Sequence, residues 1–137
     1  MKARSKKLLK QSPVELNHDQ RIEVCKSLHA ALIEREVEVV EMSIGAKHWH
    51  LLARFTAPNK LSPRDPKIIV GEAKGKCSFI LSRQGIVKPG GIWAAGCRTL
   101  SINDEGHFWN CKKYVHDHLF EGAAVLSELI KLAEPRP

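Results

Sequence analysis

The sequence predicts an α+β fold in which helices pack on one face of an antiparallel sheet. Two strand-like segments are separated only by Gly45 and Ala46, a spacing typical of a β-hairpin. The segments on either side of this hairpin carry apolar residues at helical spacing. Because the predicted order is helix, strand, strand, helix, strand, helix, helix, an antiparallel sheet with helices against it is favoured over a parallel α/β sheet. The 137 residues fit one domain, residues 1–137, with a basic arm at residues 1–12.

The first helix and the first strand are predicted by local signals. Asn17 with Gln20 three residues later resembles a capping box, and an apolar stripe at helical spacing follows to about Arg35. Residues 37–44 are rich in β-branched side chains, which favour a strand.

The second strand is predicted over residues 47–55, where polar and apolar side chains alternate. Alternation places His48, His50 and Leu52 on one face. The opposite face is wholly apolar, so we expect the core to lie behind it and both imidazoles to point away from that core. The apolar face consists of Trp49, Leu51, Ala53 and Phe55.

The second helix is predicted to begin after Asp65, with Pro66 at its first helical position. Residues 92–102 are predicted to form a third strand. Asn103 or Asp104 is a suitable N-cap for the next helix.

Tyr114 and His118 are predicted to lie beside the apolar stripe of the third helix, at the border between core and solvent. They are four residues apart and therefore share one helical face. Gly122 is expected to end this helix, and residues 123–133 to form the last one.

Charge indicates a polyanionic partner. The formal net charge is +7 and the pI is about 9.4, and nucleic acid is the commonest polyanion that such proteins bind. A solvated basic surface is the alternative for each lysine or arginine taken singly. The candidate phosphate-binding residues are Lys74, Lys76, Arg98, Lys112 and Lys113.

No membrane-spanning segment is predicted, because no apolar run approaches the roughly 20 residues that a span needs. The basic N-terminus lacks the apolar region of a signal peptide. The four cysteines lack CxxC spacing, which favours free thiols in a reducing cytoplasm.

Four residues predict phosphodiester chemistry. Imidazoles at i and i+2 on a strand, such as His48 and His50, stand roughly 7 Å apart at their roots and can converge on one metal ion. Tyr114 and His118 add a nucleophile and a third ligand. Taken alone, the histidine pair is more typical of a solvent-facing strand than of a metal site, and a tyrosine such as Tyr114 is common as an amphipathic residue at a core border.

These motifs resemble those of the HUH endonucleases. His48-Trp49-His50 resembles the His-hydrophobe-His signature, and the segment from Tyr114 to His118 resembles the nucleophile helix of the one-tyrosine branch. That branch contains the single-strand DNA transposases of insertion sequences and the REP-associated tyrosine transposases. The resemblance implies a ferredoxin-like fold, a prokaryotic cytoplasmic protein, and single-stranded or hairpin DNA as partner.

The resemblance also implies a mechanism. His48, His50 and His118 would hold Mg²⁺ or Mn²⁺, and Tyr114 would cut DNA through a 5′-phosphotyrosine intermediate. Three imidazoles favour manganese or zinc by ligand softness, so zinc is an alternative. Whether Tyr114 acts with histidines of its own chain or of a partner in a homodimer stays open.

One departure from the family pattern leaves other functions open. Members begin with a strand before the first helix. Here only residues 3–10 precede that helix at the corresponding place, and they are few and highly charged. Either they substitute for the usual first strand or that strand is missing. A degenerate module that binds DNA or RNA hairpins without cutting is therefore an alternative. A small metal-dependent hydrolase that activates water without Tyr114 is another.

Overall fold

The computed structural model describes residues 15–55, 65–89, 92–93 and 100–133. These residues form an α+β fold, as predicted, with four α-helices packed against a three-stranded antiparallel sheet in an arrangement consistent with a ferredoxin-like fold. The predicted arm, residues 1–12, lies outside the described residues. The elements are α1 (His18–Glu34), β1 (Glu38–Ile44), β2 (Trp49–Arg54), α2 (Pro66–Arg83), α3 (Glu105–Asp117), a 3₁₀ helix (His118–Glu121), β3 (Ala124–Val125) and α4 (Leu126–Ala133).

Helix α1 begins at the capping box that the sequence predicts. The Asn17 side chain accepts a hydrogen bond from the Gln20 backbone N–H at 2.9 Å, and the Gln20 side chain accepts one from the Asn17 N–H at 2.9 Å. Two backbone donors that the helix cannot satisfy internally are thereby paired.

The predicted hairpin joins β1 to β2. The Gly45 N–H donates to the His48 carbonyl at 2.8 Å, and a Cβ at position 45 would lie 3.0 Å from that same oxygen. The tight turn therefore favours glycine. It fixes an antiparallel register in which Ile44 lies opposite Trp49 and Ser43 opposite His50.

The two faces of the sheet have different partners. Met42 and Ile44 are buried in the main core with the apolar stripe of α1, and Trp49 and Leu51 pack against the same core. The opposite face is formed by Glu41, Ser43, His50 and Leu52, and α3 lies across it, in contact with β1 and β2. The imidazole of His50 thus points away from the main core, as its position in the strand predicts.

Helix α2 packs on α1 at the edge of the main core. The Asp65 side chain caps it by accepting from the Lys67 N–H at 3.0 Å, and Pro66 occupies its first turn. Trp93 stacks at 5.4 Å from Trp49 and donates its indole N–H to the Lys74 carbonyl at 3.0 Å.

The strand predicted over residues 92–102 is not formed at its described positions, 92–93 and 100–102. Positions 94–99, which include Gly96, lie outside the described residues. Ile92 is buried in the main core and Trp93 packs on Trp49, so apolar residues that suggested a strand serve irregular core packing instead.

Helix α3 begins where the sequence predicts but ends at Asp117, and a 3₁₀ helix rather than further α-helix continues the chain to Gly122. The Asp104 side chain accepts from the His107 N–H at 2.7 Å, and the chain leaves the 3₁₀ helix through Gly122 at φ 85°. The last helix starts later than predicted, at Leu126, because Ala124 and Val125 pair with Ile44 and Ser43 as β3. Among the described residues, no helix is long and apolar enough to cross a membrane.

Candidate active site

Helix α3 brings Tyr114 and His118 onto His50. The ring centres of His50 and His118 are 4.3 Å apart, and that of Tyr114 lies 5.4 Å from His50 and 4.8 Å from His118. The tyrosine ring meets both imidazoles edge to face. Three of the four residues that suggested phosphodiester chemistry therefore form one cluster within a single chain, between β2 and the C-terminal end of α3.

His118, the first residue of the 3₁₀ helix, is oriented by the backbone of α3. Its Nδ1 lies 2.8 Å from the carbonyl oxygen of Tyr114. Because a carbonyl oxygen only accepts hydrogen bonds, Nδ1 must carry the proton, and a neutral ring then has its lone pair on Nε2. Histidines that bind metals are commonly held in this way, with one ring N–H donated to a carbonyl and the other nitrogen left for the ion.

The surroundings of His50 favour its neutral form. Its partial burial lowers the pKa below the usual value of 6.5, and the neighbouring His118 and His48 lower it further, while Glu121 acts in the opposite direction. A neutral imidazole is the form that can donate a lone pair to a metal.

Tyr114 remains accessible beside these histidines, with 60% of its surface exposed. Val115, the next residue, is buried and attaches α3 to the sheet. The phenol is therefore positioned by a packed helix while its hydroxyl can be reached by a polymeric substrate.

His48 is exposed and lies one residue before β2, so it is not part of the strand that carries His50. Its carbonyl belongs to the hairpin turn, and it is close enough to His50 to lower that residue's pKa. Within the described part of the chain, no three or more His, Cys, Asp or Glu side chains are arranged together to hold a metal ion.

The donor chemistry fits a divalent metal at two of the three predicted ligands. His50 and His118 are adjacent, neutral or tautomerically fixed, and at the surface of the sheet. A third donor would come from His48 or from Glu121. The sequence reading did not identify Glu121, although it lies three residues after His118 in a 3₁₀ helix, where three residues make one turn and side chains at i and i+3 align.

The five cationic candidates do not form one surface. Lys74 is 9% exposed, with its ammonium 5.4 Å from the centre of Trp93 and 5.9 Å from Trp49, and Lys76 pairs with Glu34. Lys74 thus lies on the Trp49 side of the sheet, and Lys76 pairs with α1, which packs on that same side.

The other cationic candidates include two residues of α3. Lys112 lies over the Trp109 ring, and Lys113 is 3.9 Å from Asp117. They belong to the helix that carries Tyr114, which makes them the better-placed phosphate contacts. Arg98 lies outside the described residues.

Comparison with protein-family models, curated proteins and solved structures finds no significant match to this chain. The function must therefore be argued from the cluster itself.

Proposed function

We propose that this protein is a metal-dependent single-strand DNA endonuclease and strand transferase of transposase type, acting in a prokaryotic cytoplasm with Tyr114 as nucleophile. The observation that carries the proposal is the contact of Tyr114 with both His50 and His118. A lone tyrosine on a helix has many uses. One packed edge-on against two imidazoles, with its surface still accessible, suits attack on a phosphodiester.

The proposed reaction exchanges one phosphodiester for another. The Tyr114 oxygen forms a bond to phosphorus, the bond from phosphorus to the 3′ oxygen breaks, and the leaving oxygen takes up a proton to become a 3′-hydroxyl. The product is a 5′-phosphotyrosine. A different 3′-hydroxyl can then attack this ester and release Tyr114, so strand transfer needs no external energy source.

The histidines have distinct roles in this scheme. His118, fixed through its Nδ1–H, presents Nε2, and His50 presents a neutral ring; with His48 or Glu121 they would hold Mg²⁺, Mn²⁺ or zinc. When bound, such an ion polarises the scissile phosphate and favours the phenolate nucleophile. The packing of α3 on the sheet keeps Tyr114 next to the pair, which reduces the entropy cost of reaching the transition state.

A covalent-capture experiment tests the proposal. The full chain is incubated with end-labelled single-stranded hairpin DNA and Mn²⁺ or Mg²⁺, and denaturing gels are examined for a protein–DNA adduct. We expect an adduct with the wild-type chain and none with Tyr114→Phe, which should bind the DNA almost unchanged because the ring and its packing remain. Tyr114 is the only tyrosine, so mass spectrometry assigns the linkage directly.

His50→Ala and His118→Ala should each reduce adduct formation by about 100-fold or more. His18→Ala is the matched control, since His18 is exposed at the start of α1. An adduct on Tyr114→Phe would contradict the assignment. Metal-dependent cleavage that survives this change would favour a water-activating hydrolase, and binding without any cleavage would favour a hairpin-binding module.

A further inference from the structure

A cavity on the opposite flank of α3 from Tyr114 is not used by the proposed chemistry. Its volume is about 390 Å³, which is within the range of small-ligand pockets. Its α3 residues recur at i, i+3, i+4 and i+7 and so form a continuous stripe. The lining comprises Trp109, Lys112, Lys113 and His116 from α3, Ser127 and Lys131 from α4, and Glu41 from β1.

Trp109 provides an accessible aromatic surface at this cavity. It is 54% exposed, and the Lys112 ammonium lies 5.1 Å from its ring centre. An exposed tryptophan beside a lysine is suited to a ligand that has both a flat ring and a negative charge.

Glu41 is the most unusual residue of the lining, because a carboxylate that is only 1% exposed is costly to bury. One of its oxygens accepts hydrogen bonds from the backbone N–H groups of Met42 and Ser127, each at 3.1 Å. Those bonds fix the carboxylate at the floor of the cavity and tie the first turn of α4 to β1.

The wall between α3 and α4 is also fixed. His116 Nε2 lies 2.9 Å from Glu128, and Lys131 lies 3.5 Å from the same carboxylate. The lining carries three lysines, of which Lys113 lies 3.9 Å from Asp117 and Lys131 lies 3.5 Å from Glu128. Exposed pairs of this kind are weak, so the phosphate of a ligand can compete with these carboxylates at the rim.

We propose that this cavity binds one unpaired nucleotide of the DNA strand, with its base on Trp109 and its phosphate among Lys112, Lys113 and Lys131. The inference rests on the proposed function for its choice of ligand, since the same α3 carries Tyr114. A DNA strand that crosses α3 would be bound in the cavity on one side of the helix and cut by Tyr114 on the other side.

Glu41 gives the cavity a preference among bases. A carboxylate only accepts hydrogen bonds, so it favours the exocyclic amino groups of cytosine and adenine. An unpaired thymine offers only its N3–H, which is flanked by two carbonyl oxygens that the carboxylate repels. Oligo-dC and oligo-dA should therefore bind more tightly than oligo-dT of the same length.

Binding titrations test the aromatic contact. Fluorescence anisotropy is measured for labelled oligo-dC, oligo-dA and oligo-dT with the full chain, without added metal so that no cleavage occurs. Trp109→Ala should weaken oligo-dC binding by about tenfold, and Trp109→Phe much less, because a stacking surface remains. Phe79→Ala is the matched control: Phe79 is 60% exposed on α2 and lies beside Arg83 at 5.5 Å, as Trp109 lies beside Lys112.

Glu41→Gln tests the base preference. Glutamine still offers an oxygen to the N–H groups of Met42 and Ser127, but its amide nitrogen can now donate. We expect the preference to move from oligo-dC toward oligo-dT by about tenfold, with thermal unfolding used to confirm that the variant is folded. Equal losses for Trp109→Ala and Phe79→Ala, or an unchanged base preference in a folded Glu41→Gln, would overturn the proposal.

The binding titrations can fail or succeed independently of the covalent-capture experiment that tests the nuclease proposal. Binding defects at Trp109 with no adduct at Tyr114 would support the nucleotide pocket and reject the nuclease. A Tyr114 adduct whose binding is insensitive to Trp109 and Glu41 would do the reverse.

Discussion

The rings of His118 and His50 are controlled by different physical means. The proton position of His118 is fixed by a carbonyl one turn earlier, in α3, whereas the pKa of His50 is lowered by burial and by nearby imidazoles. The first effect is local and follows from i, i+4 spacing, so the proximity of Tyr114 to His118 is predictable from the sequence. The contact of both with His50 depends on where α3 crosses the sheet, which no local pattern contains.

The lowered pKa of His50 predicts that stability falls in mild acid. The folded state binds its proton less readily than the unfolded state, for which the reference pKa is 6.5, so unfolding takes up protons as the pH falls below that value. The contribution of His50 to the free energy of unfolding is fully present above pH 6.5, the unfolded pKa, and is lost as the pH falls toward the lower pKa of the folded state. The half-buried His29 has the same direction of shift.

Thermal unfolding between about pH 7.5 and about pH 5.5 checks this expectation. The midpoint should fall toward the lower pH, and His50→Gln should make that fall smaller without removing it, because His29 still contributes. His18→Gln, at an exposed position outside the cluster, is the control for the substitution itself. A wild-type midpoint that rises in acid would contradict the direction of both shifts.

At the scale of the elements, helix ends were the most predictable features. Asn17, Asp65 and Asp104 each cap a helix as expected, since capping depends only on neighbouring residues. β3 was missed because two apolar residues are too few to show alternation. Residues 92–93 were misassigned because apolar runs also serve irregular packing against a core.

Gly122 is expected to be the most sensitive glycine of the described residues. It adopts φ 85°, and a Cβ would lie 3.3 Å from the Arg21 guanidinium, which donates to the Gly122 carbonyl at 3.0 Å. Gly122→Ala should therefore lower the free energy of unfolding by about 1–3 kcal/mol. It should also reduce adduct formation, because Gly122 ends the 3₁₀ helix that begins with His118.

Gly75→Ala is the matched control in chemical denaturation. It lies inside α2 with nothing within 4 Å of its Cβ position, and alanine favours a helix more than glycine does. This variant should gain about 0.5–1 kcal/mol. Equal effects of the two substitutions would show that the left-handed conformation at Gly122 is not needed.

At the scale of the whole molecule, the net charge of +7 is less informative than where the lysines lie. Lys76 is paired with Glu34, and Lys74 is buried between two indoles. The sequence shows neither fact, and it therefore made these two lysines as good candidates for phosphate binding as the lysines of α3. Burial and pairing depend on tertiary contacts, which explains why the phosphate-binding candidates were harder to predict than the fold. Lys112 and Lys113 lie on α3, which separates Tyr114 from the cavity lined by Trp109 and Glu41.

Salt dependence distinguishes these lysines. Each phosphate neutralised on single-stranded DNA releases counterions and contributes about 0.7 to the negative slope of log affinity against log salt. Binding should therefore weaken steeply as salt rises, and Lys112→Ala and Lys113→Ala should each reduce the slope by about 0.7. Lys76→Ala removes the same charge from α2, which packs on α1 on the other side of the sheet from Tyr114, and should leave the slope nearly unchanged. A larger slope change for Lys76→Ala than for the α3 variants would indicate that the DNA contacts α2 instead of α3. A flat salt dependence of the wild-type chain would exclude a nucleic-acid partner that is bound through its phosphates.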